Sequence, residues 1–468
     1  MNDTLKTGTG LVIITMLVLA CYSQTLYHQV VWDALVIFSQ PELQSLSWEN
    51  IQWMFSNSFL SSWDPLSWVS HAIDFTLYGQ NPGGHHATNI LLHLGNTFLV
   101  FQIVRRFCEI SQSRVNVTLF ALTVAALFAL HPLRVESVAW IAARKELLYT
   151  FFYLLSILSY LRYISGGRLL HLGIVCLSFA CATMAKSMAV TLPAVLLLLD
   201  FYPLQRFRLS PQGLKQIPGL IIEKIPMFLI CVITVVITLT VREQAMLTQL
   251  SHWQQFASAT HNITGYILEF VLPFNLSPYN PLASAEQILS SVYWGPPLLI
   301  SLAVTAISFV LAMRGAPIYL VCWLSYVVMI LPASGFIQIG TAAHADRYTY
   351  LPMLPINLLA VAGLFWVYGS FPKLRRLVPM LTCVWLLVLT LLCFVQTSHW
   401  NNRLTLWARV LDVYPNTAFA QRNIALAYFD LGANDEAMKH LGKMVEDDEN
   451  GALELERLRA RLEQQGLE

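Results

Sequence analysis

Long runs of apolar residues alternate with short polar turns along most of the chain. A run of about 18 or more nearly uncharged apolar residues predicts a helix that crosses a bilayer, because only a helix satisfies its own backbone amides there. The first such run is 11–26. Others follow at 87–104, 117–130, 147–161, 172–185, 188–201, 226–241, 297–313, 317–333, 353–369 and 378–395. The pattern predicts an all-α, polytopic membrane protein with about eleven transmembrane helices. The stretch 262–274 is apolar but short. Counted as a span, it would put Arg314 and the cluster Lys373, Arg375 and Arg376 on the outer side, so it is read as an interfacial or re-entrant helix. The first run follows a lone Lys6 and has no clean cleavage site. It is therefore read as an uncleaved span rather than a signal peptide or a lipoprotein leader ending at Cys21.

Charge orients these spans. With the N-terminus cytoplasmic, Lys and Arg divide fourteen to six in favour of the inner loops, as the positive-inside rule requires. Residues 1–396 then form a transmembrane domain in an inner (plasma) membrane, with the loop 28–85 and the tail 400–468 extracytoplasmic. Only 12% of residues are charged and 56% are hydrophobic, against about 25% charged in soluble proteins; a disordered chain and an ordinary cytosolic enzyme are excluded. A net charge of +1 gives no basic footprint for nucleic acid. The eight cysteines lie in or beside apolar runs without zinc spacing and read as core or lipid-facing residues.

The loop 28–85 is long, contains no Lys or Arg, and carries Asp33, Glu42, Glu49, Asp64 and Asp74 among five tryptophans. Such residues suit short amphipathic helices at headgroup level. From Trp400 the chain becomes charged with helical period. Between Pro415 and Lys443, Ala420, Asn423, Ala425, Tyr428, Gly432, Ala437 and Leu441 match one tetratricopeptide helix pair. A single repeat buries its faces poorly, so it is expected to pack on the membrane domain or a partner. A charged helix over 453–468 is expected to cap it.

Polar groups in a membrane domain are costly and mark function or helix pairing. His86, Asn89, His93 and Asn96 share one face of the second span. Hydrogen bonding between helices accounts equally well for His93 and Asn96, whereas His85 and His86 lie near the mouth, where substrate would enter. Neither His pair has a ligand set for a metal. The loop after the third span carries His131, Arg134, Glu136, Arg144 and Lys145. The next outer turn carries Lys186, and the last carries Asp346 and Arg347. Cations are rare outside, so their recurrence in separate outer loops points to an anion, with a lipid phosphate as the natural candidate. For Arg144 and Lys145 the alternative is snorkelling to headgroups. For Asp346 and Arg347 it is structural ion pairing, each with another partner.

Several stretches carry a resemblance. They are Trp63-Asp-Pro-Leu-Ser-Trp68-Val-Ser-His71, Asn81-Pro-Gly-Gly-His-His86-Ala-Thr-Asn89, His131-Pro-Leu-Arg-Val-Glu-Ser-Val-Ala-Trp140 and Arg144-Lys-Glu146. Further along come Met184-Ala-Lys-Ser-Met-Ala-Val-Thr-Leu-Pro193, Asp200-Phe-Tyr-Pro-Leu204 and Ala345-Asp-Arg-Tyr-Thr-Tyr-Leu-Pro352. Over almost its whole length the chain resembles bacterial proteins related to the transmembrane and tetratricopeptide-repeat O-mannosyltransferases, members of the GT-C superfamily of polyprenyl-phosphate-sugar-dependent glycosyltransferases. The resemblance implies a GT-C-like fold and a catalytic acid just after the first span, which here matches Asp33. Relatives usually show two adjacent acids there; this chain has Trp32 in place of the first. It also has Asp64 where relatives commonly carry His, and Ser187 where they carry Pro.

The implied reaction moves a sugar from a polyprenyl-phosphate donor to a hydroxyl of a protein Ser or Thr, or of a cell-envelope glycan or lipid. Asp33 would take the acceptor proton, and Arg144, Lys145, Lys186 and Arg347 would hold the phosphate. Asp64, His85, His86, Asn89, His131, Arg134, Glu136 and Asp346 are candidates for the substrate pocket. The implied partners are membrane lipid, the lipid-linked donor, and an acceptor docked by the tail. No cofactor is called for, and a divalent metal is left open. No Gly-rich phosphate loop suggests a nucleotide-sugar donor. Two rivals from other classes are a flippase or transporter of lipid-linked sugar, which would place ionisable groups mid-membrane, and a non-enzymatic scaffold acting through the tail.

Overall fold

The computed structural model describes residues 3–112, 115–243, 250–336 and 342–445. The expected helix over 453–468 and Arg114 of the inner loops lie outside these residues. The described chain is helical, with two isolated β-bridges and no strand.

Each predicted span falls on a helix, but length separates them. Five helices are long and apolar enough to cross a bilayer: Asp3–Tyr27, Pro82–Ile110, Ile141–Ile164, Ser291–Met313 and Leu377–Ser398. Two bent pairs, Val117–Leu130 with Pro132–Ala139 and Pro211–Glu223 with Ile225–Val241, would raise the count to seven. Leu169–Ala185, Ser187–Phe201, Ile318–Ala333 and Leu354–Ser370 are apolar but shorter than 18 residues. At 1.5 Å per residue they fall short of a hydrocarbon core of about 30 Å, so eleven complete crossings exceed what length supports. The stretch expected at 262–274 belongs to a longer helix, His252–Val271, whose last turns reach the candidate site.

Pro82–Ile110 and Ile141–Ile164 form the centre, with 56% and 61% of their apolar windows buried. Ser291–Met313 and Leu377–Ser398 are peripheral, at 6% and 11%. Their apolar faces are turned away from the rest of the protein, as expected where the surrounding solvent is itself apolar. The Pro-Gly-Gly start of Pro82–Ile110 has a packing cause. A Cβ on Gly83 would lie 2.6 Å from the Leu26 carbonyl, and one on Gly84 would lie 2.2 Å from the Tyr78 ring. Only glycine lets the first span end against this helix so closely.

Between the first two spans, Ala34–Ser39, Trp48–Ser56 and Pro65–Tyr78 are short helices. They gather Ile37, Leu43, Met54, Trp68, Ala72 and Phe75 into a small core of their own. In the tail, Ala418–Asp430 and Asn434–Val445 form the expected helix pair, turning at Gly432 with φ +75°. A further helix, Arg403–Val413, precedes them. The tail packs on the membrane domain. The Gln29 amide donates to the Asn401 carbonyl (2.8 Å), Arg409 Nε to the Leu276 carbonyl (3.1 Å), and the Tyr414 hydroxyl to Asn280 Oδ1 (3.1 Å).

These bonds place the first loop and the tail on one face. Single cysteines at the exposed positions Glu49 and Asp435, in a background without other cysteines, are therefore expected to react with an impermeant maleimide from the same side of the membrane. Labelling from opposite sides would contradict the packing.

Candidate active site

The outer loops fold around two separate charge clusters. The inner one is a buried knot. Arg144 opens its helix with no exposed surface, and its guanidinium meets Asp74 Oδ2 at 2.5 Å. It also donates to Asn89 Oδ1 (2.9 Å), the His85 carbonyl (2.7 Å) and the Ser70 carbonyl (3.3 Å). Asn89 Nδ2 donates in turn to the Val138 and Trp140 carbonyls, and Thr88 donates to Asp74 Oδ1. The fork of Arg144 thus joins three helices from inside. Arg144 is thus bonded to Asp74, Asn89 and the His85 carbonyl rather than to the partners of the other expected phosphate ligands.

His131 and Arg134 are likewise buried in the packing. The imidazole accepts at Nδ1 from the Leu133 amide (3.3 Å), leaving Nε2 to donate to the Phe270 carbonyl (2.9 Å). Arg134 is fully buried and donates to the Phe128 and Thr349 carbonyls at 3.2 and 2.8 Å. These bonds hold the 61° bend after Leu130 against the loop that carries Arg347. Deeper on the second span, His93 meets the Tyr350 hydroxyl (2.6 Å) and the Ala129 carbonyl (3.1 Å). Asn96 donates to the Leu147 carbonyl (3.0 Å); both residues tie helices together.

The second cluster lies at the rim, where three cations converge. Lys145 meets Asp64 at 3.2 Å, Lys186 pairs with Glu146, and Arg347 pairs with Glu136. The Arg347 amide also donates to Glu136 Oε2 (2.9 Å). Lys186 Nζ and the Arg347 guanidinium each stand 4.8 Å from the centre of the Tyr348 ring. They are thus no more than about 10 Å apart, near one Debye length at moderate salt. Arg347 also lies over Trp140, at 5.2 Å. Burial pushes Lys186 down to about 8 despite Glu146, with repulsion from Lys145 and Arg347 acting the same way.

Asp33 stands beside this cluster. It occupies the N-cap position of Ala34–Ser39, where its backbone carbonyl accepts from the Val36 and Ile37 amides. Its side chain makes no capping bond, and no other hydrogen bond or ion pair engages it among the described residues. Burial raises its carboxyl above the ordinary aspartate value, while Arg347 and Lys145 pull it back.

Trp32, the residue before it, explains how Asp33 is held. Its φ is 55°, a left-handed conformation that costs about 1–2 kcal/mol for an L residue. It persists because four other rings pack against its own. It stacks on Trp140 at 4.8 Å and meets Trp407 at 5.1 Å, Tyr279 at 6.2 Å and Phe419 at 6.4 Å. Two of these rings come from the tail, so the tail helps to fix the residue next to Asp33.

Asp346 is buried at 3% exposure, with no ion pair among the described residues. Burial and the nearby carboxylates Glu269 and Glu136 raise its carboxyl well above the usual range. His86 is buried beside His28, ring centres 6.1 Å apart. Among the described residues no three His, Cys, Asp or Glu side chains are grouped to hold a metal ion. Reading the sequence missed the partners Glu146 and Tyr348. Both are neighbours of assigned cations, Lys145 and Arg347, and that adjacency was the available signal.

No family model matches the chain. It is 34% identical over 130 residues to protein O-mannosyl-transferase Tmtc1 of Drosophila melanogaster, a stretch covering 28% of this chain and 14% of that protein. Over 94% of its length it is 21% identical to human protein O-mannosyl-transferase TMTC3, covering 52% of it. The crystal structure of ArnT from Cupriavidus metallidurans bound to undecaprenyl phosphate aligns at TM-score 0.41 and 14% identity, over 94% of this chain and 76% of that one. Along nearly its whole length, then, this all-α membrane chain is related to the TMTC protein O-mannosyl-transferases, and it spans about half the length of the human one.

Proposed function

We propose that the chain is a GT-C-type membrane glycosyltransferase. It moves a sugar from a polyprenyl-phosphate-linked donor to a hydroxyl of a protein Ser or Thr, or of a cell-envelope glycan or lipid, on the extracytoplasmic face. One observation carries the reading: Asp33, a carboxylate without a fixed partner among the described residues, feels Arg347 and Lys145, the two cations that converge with Lys186. Asp33 accepts the proton of the attacking hydroxyl as the new C–O bond forms. The bond between the anomeric carbon and the phosphate oxygen breaks, and the polyprenyl phosphate leaves with the electron pair. Lys145, Lys186 and Arg347 face that charge, each already oriented by a carboxylate. Preorganised charge of this kind needs no rearrangement when the phosphate departs. Asp64, Glu136, His86 and Asp346 complete the proposed pocket.

The tail supports an acceptor role. Tyr279, Pro281 and Leu282 on one side and residues 413–419 on the other line a cleft of about 620 Å³. Tyr279 and Phe419 of that cleft both touch Trp32, the neighbour of Asp33. The test is transfer in nanodiscs from a polyprenyl-phosphate mannose to a Ser/Thr peptide or to extracted envelope glycan and lipid. Transfer from the lipid donor supports the reading. Turnover of nucleotide sugar alone, or downhill movement of lipid-linked sugar without transfer, overturns it.

The two shifted groups give a pH profile. Activity is expected to rise as Asp33 loses its proton, above the ordinary aspartate range, and to fall near pH 8 as Lys186 loses its own. Lys186→Arg keeps its charge at all working pH values and is expected to move the alkaline limb upward. An unmoved limb would remove Lys186 from the donor site.

A further inference from the structure

A cleft of about 580 Å³ opens between Leu192–Phe201, Ser291–Met313 and Ile318–Ile330. Leu198, Phe201, Leu302, Phe309, Leu320 and Leu324 line it, and Thr305 is its one polar side chain. The Thr305 hydroxyl is occupied, accepting from Trp323 Nε1 at 2.8 Å and donating to the Ser301 carbonyl at 2.7 Å. Nothing in the walls offers a polar ligand a bond, so the body of the cleft suits hydrocarbon.

Its mouth is different. Phe207 and Leu209 close that end, and Arg208 stands between them, exposed. Arg314 caps the helix whose Phe309 lines the cleft, and it too is exposed. Neither guanidinium has a hydrogen-bond or ion-pair partner among the described residues. The adjacent cations are neutralised: Arg206 meets Glu223 at 2.7 Å, and Lys224 meets Asp200 at 2.6 Å. Two arginines without a partner among the described residues, one between two lining residues and one at the end of a lining helix, give this apolar cleft a cationic border. We propose that this cleft binds one anionic phospholipid of the adjoining leaflet, with an acyl chain between the helices and the phosphate between Arg208 and Arg314.

The charge term sets the expected preference. Two basic residues at an anionic surface favour the charged headgroup by roughly thirtyfold over a zwitterionic one. Native mass spectrometry of the full chain in mild detergent, titrated with phosphatidylglycerol or phosphatidylcholine of matched chains, reads this directly. One phosphatidylglycerol is expected to bind about thirtyfold more tightly. The exposed double substitution Arg208→Gln/Arg314→Gln should abolish the preference without altering thermal stability. Ala306→Phe, which fills the cleft from an exposed position, should weaken both lipids. Equal retention of the two lipids by the parent chain, or a preference that survives the double substitution, overturns the proposal. So does displacement of phosphatidylglycerol by equimolar undecaprenyl phosphate, which would make this end a prenyl-phosphate site instead.

Discussion

Asp33→Asn is expected to slow sugar transfer on the order of 10²–10⁴-fold, the range for loss of a general base. The thermal midpoint should not move. Asparagine fills the same space and caps helices as well as aspartate, but it takes no proton. The structure sharpens the expectation, because the Asp33 side chain caps nothing. Even Asp33→Ala should therefore cost less than the about 1 kcal/mol of a lost cap. Sugar transfer in nanodiscs with a parallel thermal-shift measurement checks both halves. A well-folded Asn variant with parental turnover would move the base to Asp64, Glu136 or Asp346.

Asp74→Ala is expected to destabilise the fold by about 3–5 kcal/mol, because it leaves the Arg144 guanidinium buried without its counter-charge. Arg144→Lys should fare little better. An ammonium cannot replace a planar fork that reaches Asp74, Asn89 and two backbone carbonyls at once. Thermal unfolding in detergent is the measurement. If Arg144 instead held the donor phosphate, Asp74→Ala would leave the midpoint in place and change the KM for the lipid donor.

These two residues show how far the sequence could be read. The helices were legible because hydrophobic runs answer to a local requirement: each backbone group in hydrocarbon must be bonded within its own segment. Asp33 was singled out among the five acids of its loop by the resemblance alone, which implies a catalytic acid just after the first span. The roles of the cations were not legible. Arg144 and Lys145 are neighbours at the start of one helix, and a step of one residue turns a side chain by about 100°. One enters the core toward Asp74 and the other meets Asp64 at the rim. Glu146 lies 40 residues from Lys186 and Glu136 lies 211 from Arg347; no local pattern pairs them. His131 was a pocket candidate because it opens the polar outer loop after the third span and one of the stretches that carry the resemblance. Its bond to the Phe270 carbonyl joins residues 139 apart and appears only once the chain is folded. Trp32 looked like the loss of an acid, whereas its ring anchors the tail beside the acid that remains.

The central claim is that a lipid-linked sugar sits between Asp33 and the cluster of Lys145, Lys186 and Arg347. Electron cryomicroscopy of the chain in nanodiscs, with a non-hydrolysable polyprenyl-phosphonate mannose analogue, tests it most directly. The account predicts phosphonate density within hydrogen-bonding reach of Lys186 or Arg347, with the sugar turned toward Asp33. Density for the headgroup elsewhere, with Asp33 and these cations out of its reach, would contradict it.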